Sequence, residues 1–224
     1  MRNMCRKLIK YAAALLMTIG SVGMAVLVYY GAQGYVMYKN AVGEVPVETM
    51  YAAVYSERED FAESENLPEF YIQAVIAAED RRFYSHSGVD PTAMARALWH
   101  DIKVKAPEQG GSTITQQLAK NFYYSGEKRL ERKFAEMFTA FEIERKYTKD
   151  EIFEMYVNSI YFGSGHYGVT EAAASYFDKS LADLSDYECA MLAGIPNAPS
   201  AYSPDASPQL AAERTEQILK LVND

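Results

Sequence analysis

The sequence predicts a mostly α-helical domain of about 180 residues held by one N-terminal membrane span. Three observations carry this. No charged residue occurs from Tyr11 to Tyr38. Beyond that run, apolar residues recur at helical spacing between cap signals. Strand character is confined to residues 45 to 56, and there is no internal repeat or low-complexity tract. Composition agrees. Hydrophobic residues at 49% and charged residues at 23% exclude a disordered chain, a collagen-like fibre and a disulfide scaffold. Thirty acids against 22 bases, a net charge of −8, argue against a nucleic-acid binder. Cys5 and Cys189 are too few and too far apart for a disulfide framework or a thiolate metal site.

The elements follow in order. Arg2, Arg6, Lys7 and Lys10 mark residues 1–10 as a basic tail that stays cytoplasmic and sends the rest of the chain outside. Residues 11–30 are the span, since 20 residues of helix cover about 30 Å, the thickness of a bilayer's hydrocarbon core. Gly20 and Gly23 are tolerated there because lipid offers the backbone no partner other than itself. Tyr29, Tyr30 and Tyr35 suit the far interface. The rival is a cleaved signal peptide, whose apolar region is about 7–15 residues; this run is longer. With an anchor, Cys5 and Cys189 lie on opposite sides of the membrane. Residues 39–66 read as a short extended stretch and a linker, acidic at Glu57, Glu59, Asp60, Glu63 and Glu65.

The domain itself then occupies 67–224. Pro68 opens a helix to about Asp80, with Phe70, Val75 and Ile76 on its apolar side. Asp90-Pro91 reads as N-cap and first residue of a helix through Trp99. The loop from Pro107 to Gly111 ends at Ser112, read as an N-cap. Ser125 is read as the cap of a long helix to about Lys146. On it Leu130, Phe134, Met137, Phe138 and Phe141 share a stripe. Thr148 with Glu151 and Ser185 with Glu188 form capping boxes, and Ser207-Pro208 opens the last helix.

Five segments carry chemistry. The first runs from Glu79-Asp80 through Phe83, His86 and Gly88 to Asp90. A carboxylate at the C-terminal end of an apolar helix faces the negative end of its dipole, which favours its protonated form. If buried, it is a candidate proton acceptor near neutral pH. The plainer reading pairs Glu79 and Asp80 with Arg81 and Arg82 on a solvated end, and His86 alone reads as structural. The second segment is Gly110 to Asn121. Two glycines admit close approach of a ligand, and Ser112 and Thr113 offer donors at a helix start, which favours anions. Gln116 and Lys120 share a face. The Gly-Lys-Ser/Thr order of a phosphate-binding P-loop is absent.

The third segment places Arg129, Arg132, Lys133 and Glu136 opposite the phenylalanine stripe. Residues 120 to 149 hold eight bases and five acids, a basic island in an acidic domain. Such an island suits a localised anion such as a phosphate, or else a solvated face of helical ion pairs. Glu136 within it is placed either to hold a divalent cation or to orient a base. The fourth segment, Asn158 to Gly168, reads as a helix end and a glycine-rich loop. The fifth, Ala190 to Pro204, reads as a helix stop and a rigid proline loop. Both read as scaffold or groove lining.

In this order and spacing the five segments resemble the peptidoglycan glycosyltransferases of bacterial cell walls. That family includes the glycosyltransferase domain of bifunctional penicillin-binding proteins and the monofunctional enzymes. The likeness covers roughly residues 67 to 205. Glu79-Asp80, Phe83 and His86-Ser-Gly88-Val-Asp90 match the first family motif. Gly111-Ser-Thr-Ile-Thr-Gln-Gln-Leu-Ala-Lys-Asn121 matches the second and Arg132-Lys133-Phe-Ala-Glu136 the third. Lys149 to Asn158 is similar to the fourth, with Phe153 and Val157 where leucine is common.

The resemblance implies a lysozyme-like helical lobe with a small membrane-proximal lobe. It implies a donor glycan chain linked through diphosphate to a polyprenyl lipid, and lipid II as acceptor. Glu79 then resembles the general base and Glu136 the second essential carboxylate. Lys120, Arg132 and Lys133 are suited to offset the leaving diphosphate, and Ser112, Thr113 and Gln116 to hydrogen-bond it. Asp80, Phe83, His86, Gln117, Asn121 and Arg129 complete the expected substrate-binding set. Mg²⁺ or Mn²⁺ at Glu136 is a further expectation. So are the bacterial membrane and other cell-wall synthesis proteins as partners, and a catalytic domain on the outer face of the cell membrane.

Bifunctional members continue into a transpeptidase domain with Ser-x-x-Lys and Lys-Thr/Ser-Gly motifs. Here the sequence stops at Asp224. Its one Ser-x-x-Lys match, Ser125 to Lys128, lies inside the matched region. The expectation is a monofunctional enzyme rather than a piece of a bifunctional one. Two rivals stand beside it. One is a lysozyme-like lytic transglycosylase, which cleaves glycan with a catalytic glutamate. The other is a non-catalytic membrane protein that binds cell-wall precursor.

Overall fold

The structure, a computed structural model, describes residues 2–104, 110–124 and 129–223. Helix α1 (Arg2–Glu44) contains the apolar run and continues beyond it without a break. Its part from Ala13 to Glu44, with a mean hydropathy of 1.8, is long and apolar enough to cross a bilayer, a test that a signal sequence also passes.

Residues 45–56 were expected to be extended, and they are helical instead. A 3-10 turn at Val47–Thr49 runs into α2 (Met50–Ser56), and a further turn spans Ser64–Asn66. Val47, Met50 and Val54 recur at helical spacing and are buried. Packing one face in this way stabilises by about 1.5–3 kcal/mol per side chain and overrides β-propensity. Hydrogen bonds pin the stretch to the domain. Tyr147 donates to Val47 O at 2.6 Å. The Asn158 side chain accepts from Ala62 N at 2.8 Å and donates to Ala62 O at 2.9 Å.

Helix α3 (Glu69–Glu79) follows Pro68 as expected. The next helix, α4 (Pro91–Val104), outruns the expected end at Trp99. Asp90 caps it, accepting from the Thr92 and Ala93 amides at 2.8 and 3.1 Å. Leu98, Trp99 and Ile102 on α4 are all more than 60% exposed. In α5 (Ile114–Tyr123) the N-cap is Thr113 rather than Ser112, because Thr113 and Gln116 form a complete capping box. Helix α6 (Leu130–Lys146) comes next; the expected cap at Ser125 lies outside the described residues. Both remaining boxes hold: Thr148 opens α7 (Lys149–Ser159) and Ser185 opens α9 (Asp186–Gly194). Between them, the stretch read as a glycine-rich loop is a small antiparallel hairpin, β1 (Tyr161–Gly163) and β2 (His166–Tyr167), followed by α8 (Val169–Phe177). A short α10 (Pro199–Tyr202) leads to α11 (Pro208–Asn223).

Helices α3, α9 and α11 pack together, and α5 lies between α6 and α7. Their shared core holds Tyr71, Phe83, Leu118, Phe153, Tyr156 and Leu192. The aromatic stripe of α6 does not face this core. Ile143 does, Ala135 joins a separate cluster with Tyr38 and Tyr124, and Glu136, Thr139 and Ala140 are also buried, while Phe141 is 44% exposed. Part of the stripe meets α1. A Cβ on Gly34 would lie 2.4 Å from Phe134 Cβ and 2.7 Å from Glu131 O, so only glycine admits this approach. Tyr35 meets Phe138 edge-on and Tyr38 lies tilted against the same ring, and Tyr38 donates to Glu142.

Candidate active site

Glu79 is the last residue of α3, where the helix ends on the wall of a cleft of about 510 Å³. Its Oε2 accepts from Gln117 Nε2 at 2.7 Å. Its Oε1 is buried and accepts no bond among the described residues. Burial pushes the Glu79 carboxyl above the usual carboxylate range; the Gln117 donor and the charges of Arg214 and Lys120 oppose that rise. The chain then turns at Asp80, which does not pair with Arg81 or Arg82. Asp80 Oδ2 accepts from the Ile114 amide at 3.1 Å and lies 2.9 Å from His86 Nε2. Asp80 and His86 thus tie the end of α3 to the start of α5. Arg82 instead meets Asp90 at 3.3 Å and Thr92 at 2.9 Å.

The start of α5 is held from three sides. Thr113 donates to Gly88 O at 2.6 Å, and Gln116 Oε1 accepts from Thr113 N at 3.1 Å. Gly88, at φ +95°, lies so close to α6 that a Cβ would sit 2.9 Å from the Ala140 carbonyl. Ser112 stands just outside the cap. Its Oγ accepts from Lys133 Nζ at 2.6 Å, and the same ammonium donates to Glu136 Oε2 at 2.9 Å. Arg132 Nε lies 3.2 Å from Glu136 Oε1. Glu136 itself is 2% exposed, so a buried carboxylate is held between two cations.

Lys120, one turn along α5 from Gln116, joins the two carboxylates electrostatically. Burial lowers the proton affinity of its ammonium; Arg132 and Lys133 add to this, while Glu136 and Glu79 oppose it. Among the described residues its Nζ makes no hydrogen bond or ion pair. Arg129 and Arg132 also line a second cleft, shared with Val36, Met37 and Asn40 of α1 and Tyr124.

The expected residues therefore fall into groups. Glu79, Asp80, Ser112 and Thr113 border the first cleft, and Gln117 contacts Glu79 beside it. Lys133 and Glu136 connect to that group through Ser112. Phe83 is fully buried against Phe153 in the core, and Asn121 is exposed on α5. Residues outside the expected set also border the first cleft, among them Arg96, His100 and Arg214. Arg96 and His100 are four apart on one helix, a spacing readable from sequence. Arg214 gives no such signal, because α11 reaches the cleft only through its packing on α3 and α9.

The protein-family model described as Transglycosylase matches residues 46–223. Penicillin-binding protein 1F of Bacillus subtilis (strain 168) is 44% identical over 173 residues, which cover 77% of this chain and 24% of that protein. Penicillin-binding protein 1A of Neisseria lactamica is 48% identical over 178 residues, 76% of this chain and 22% of the relative. Penicillin-binding protein 1A of Neisseria flavescens is 48% identical over 167 residues, 74% and 21%. The chain thus spans about a quarter or less of these curated relatives. With the match extending from the turn before α2 to the end of α11, the chain belongs to the transglycosylase family of the penicillin-binding proteins' glycosyltransferase region.

Proposed function

We propose that the chain is a peptidoglycan glycosyltransferase that polymerises lipid II into β-1,4-linked glycan. One observation carries the reading: a buried carboxylate with an unpartnered oxygen stands beside a cleft whose other side leads to a basic cluster. A sugar hydroxyl is a weak nucleophile and needs a base. A departing diphosphate gathers charge that fixed cations must offset. In this reading the 4-hydroxyl of lipid II attacks the anomeric carbon of the lipid-linked glycan. Its proton passes to Glu79, the new C–O bond forms, and the bond to the diphosphate breaks with its electron pair leaving on the lipid diphosphate. The α link becomes β. Lys120, Arg132 and Lys133 face the leaving group, with Ser112 as a hydrogen-bonding partner.

Glu136 is read as the residue that orients these bases. Both its oxygens face cations, and among the described residues no three His, Cys, Asp or Glu side chains come together. A Mg²⁺ or Mn²⁺ at Glu136 would therefore need the substrate's diphosphate oxygens as its other ligands, and no step is assigned to one. The second cleft, walled by α1 and by Arg129 and Arg132, suits a lipid diphosphate arriving at a membrane surface. We read α1 as an anchor with a cytoplasmic N-terminus and the domain on the outer face, where both lipid substrates are displayed.

Incubation of the full chain with labelled lipid II tests this. Polymer is the expected product. Shorter strands from preformed glycan would instead mark a lytic enzyme, and binding without turnover a precursor-binding protein.

A further inference from the structure

The two oxygens of Glu79 have different surroundings. Oε2 is held at 2.7 Å by Gln117 Nε2, and Oε1 is held by nothing among the described residues. A carboxamide presents either its NH₂ or its carbonyl to a neighbour, by a half-turn about its last bond. Half-turned, Gln117 would set a carbonyl against the Glu79 carboxylate, acceptor against acceptor. Tyr156 disfavours that state. Its hydroxyl donates to Gln117 Oε1 at 3.3 Å, and its fully buried ring, packed within the core, cannot swing away. Burial also pushes the Tyr156 phenol far above its usual range, so it stays a donor. The sequence placed Gln117 in the substrate-binding set; its side chain turns to Glu79.

We propose that Gln117 is a positioning residue for proton transfer, its amide oriented by Tyr156 so that it fixes Glu79 Oε2 and leaves Oε1 to take the proton of the acceptor hydroxyl. The inference rests on the reading of Glu79 as the general base. Its balance is that of the step above: the acceptor O–H breaks toward Oε1 as the new C–O bond forms and the diphosphate leaves.

The groups facing Glu79 are few. Arg214 approaches from α11, Lys120 and Gln117 from α5, Tyr156 from α7, Tyr71 from the body of α3, and Asp80 is the next residue in the chain. The two cations and the Gln117 amide favour the ionised carboxylate, while burial and Asp80 disfavour it. Tyr71 is held protonated by its own burial and makes no hydrogen bond among the described residues. Of these groups only Gln117 donates directly to the carboxylate.

The test is the pH dependence of lipid II polymerisation by the full chain in detergent. The parent is compared with Gln117→Leu, Tyr156→Phe and Glu79→Gln. Losing a donor that favours the ionised form moves the acid limb to higher pH. We expect a shift of about 1 unit for Gln117→Leu and about half that for Tyr156→Phe. At the parent's optimum, kcat should fall about 50-fold and about 5-fold, with KM for lipid II within about twofold. If Tyr156→Phe fails to fold, Gln117→Leu and Gln117→Met carry the test, since neither disturbs the buried ring. An unmoved acid limb in both folded Gln117 variants overturns the inference. So does a severalfold rise in KM with kcat retained, which would make Gln117 a substrate ligand. Near-parent turnover by Glu79→Gln would instead remove the base reading and this inference with it.

Discussion

Two carboxylates in one site are both withdrawn from water, and their surroundings differ in kind. Glu79 ends a helix among Tyr71, Tyr156 and a neutral amide, with its cations at a distance. Glu136 lies mid-helix, pressed between Arg132 and Lys133. Burial alone raises the free energy of either charge. What separates them is whether that charge is matched on the spot. An unmatched carboxylate holds protons more readily and is suited to receive one. A matched one is suited to hold its partners still. The difference lies in the neighbours, since the two side chains are chemically identical.

The contrast is broken most sharply at Glu79. Glu79→Gln should lower polymerisation of labelled lipid II by about 10³-fold or more while lipid II still binds, because the amide keeps the shape and cannot accept a proton. Its residual rate should lose the parent's acid limb. Turnover near the parent's would end the base assignment. The same variant should unfold at higher temperature near pH 7.5. A carboxyl whose folded proton affinity is raised contributes stability below its unfolded pKa, and that contribution is lost as pH rises through the folded value. Melting curves should therefore show a gain at pH 7.5 that vanishes near pH 4, at about 2–4 °C per kcal/mol.

Glu136→Gln should cost about 10²-fold in rate, with the opposite sign in stability. Arg132 and Lys133 would lose a buried counter-charge, and the melting temperature should drop. Titration with Mg²⁺ and Mn²⁺ sharpens the point: a bases-orienting Glu136 leaves the variant's cation dependence equal to the parent's. A changed dependence would restore the metal reading.

Lys120→Ala, between the two carboxylates, should cost about 10-fold to 100-fold in kcat, since it leaves diphosphate charge unmatched. Lys220→Ala, on the exposed side of α11, should be silent. Equal effects would dissolve the basic cluster as a functional unit. The smallest effect is expected at a distance. Gly34→Leu forces α1 off α6, the helix that carries Glu136, and leaves α3 untouched. Activity should fall a few-fold with no change in the acid limb. A shifted limb would show that the two carboxylates are not independently held.

Much of this was legible before the fold. Thr148 with Glu151 and Ser185 with Glu188 place helix starts because each box satisfies two amides locally. Asp90-Pro91 works the same way. Residues 45–56 misled because Val45, Val47, Val54 and the tyrosines favour strands locally, while the core they bury in is assembled from distant α6 and α7. The Thr113–Gln116 box was present in the sequence, and Ser112, one residue earlier, competed with it as a cap. The hairpin at 161–167 was hidden because it consists of two paired positions and has no alternating run. At the site, the side chains of Glu79, Lys133 and Glu136 were identifiable. Which oxygen of Glu79 is held, and that Arg214 stands near it, depend on contacts across the whole chain.

Helix α1 has a phase as well as a length. Gly31, Gly34, Tyr38 and Val42 form one sector that engages α6, flanked by the partly buried Met37 and Ala41, while Ala32, Gln33, Val36, Lys39 and Asn40 are exposed. Each added residue rotates everything before it by about 100° and lifts it about 1.5 Å. Substitutions on the outer sectors therefore leave the engagement intact. A single inserted residue between Tyr30 and Gly34 turns the whole preceding segment relative to the domain while the Gly34 notch stays on Phe134. The helix is keyed to α6, which carries Lys133 and Glu136, through this sector, so the length of the segment before it sets the heading of everything preceding it. An insertion of seven residues, close to two full turns, should disturb that setting less than an insertion of two.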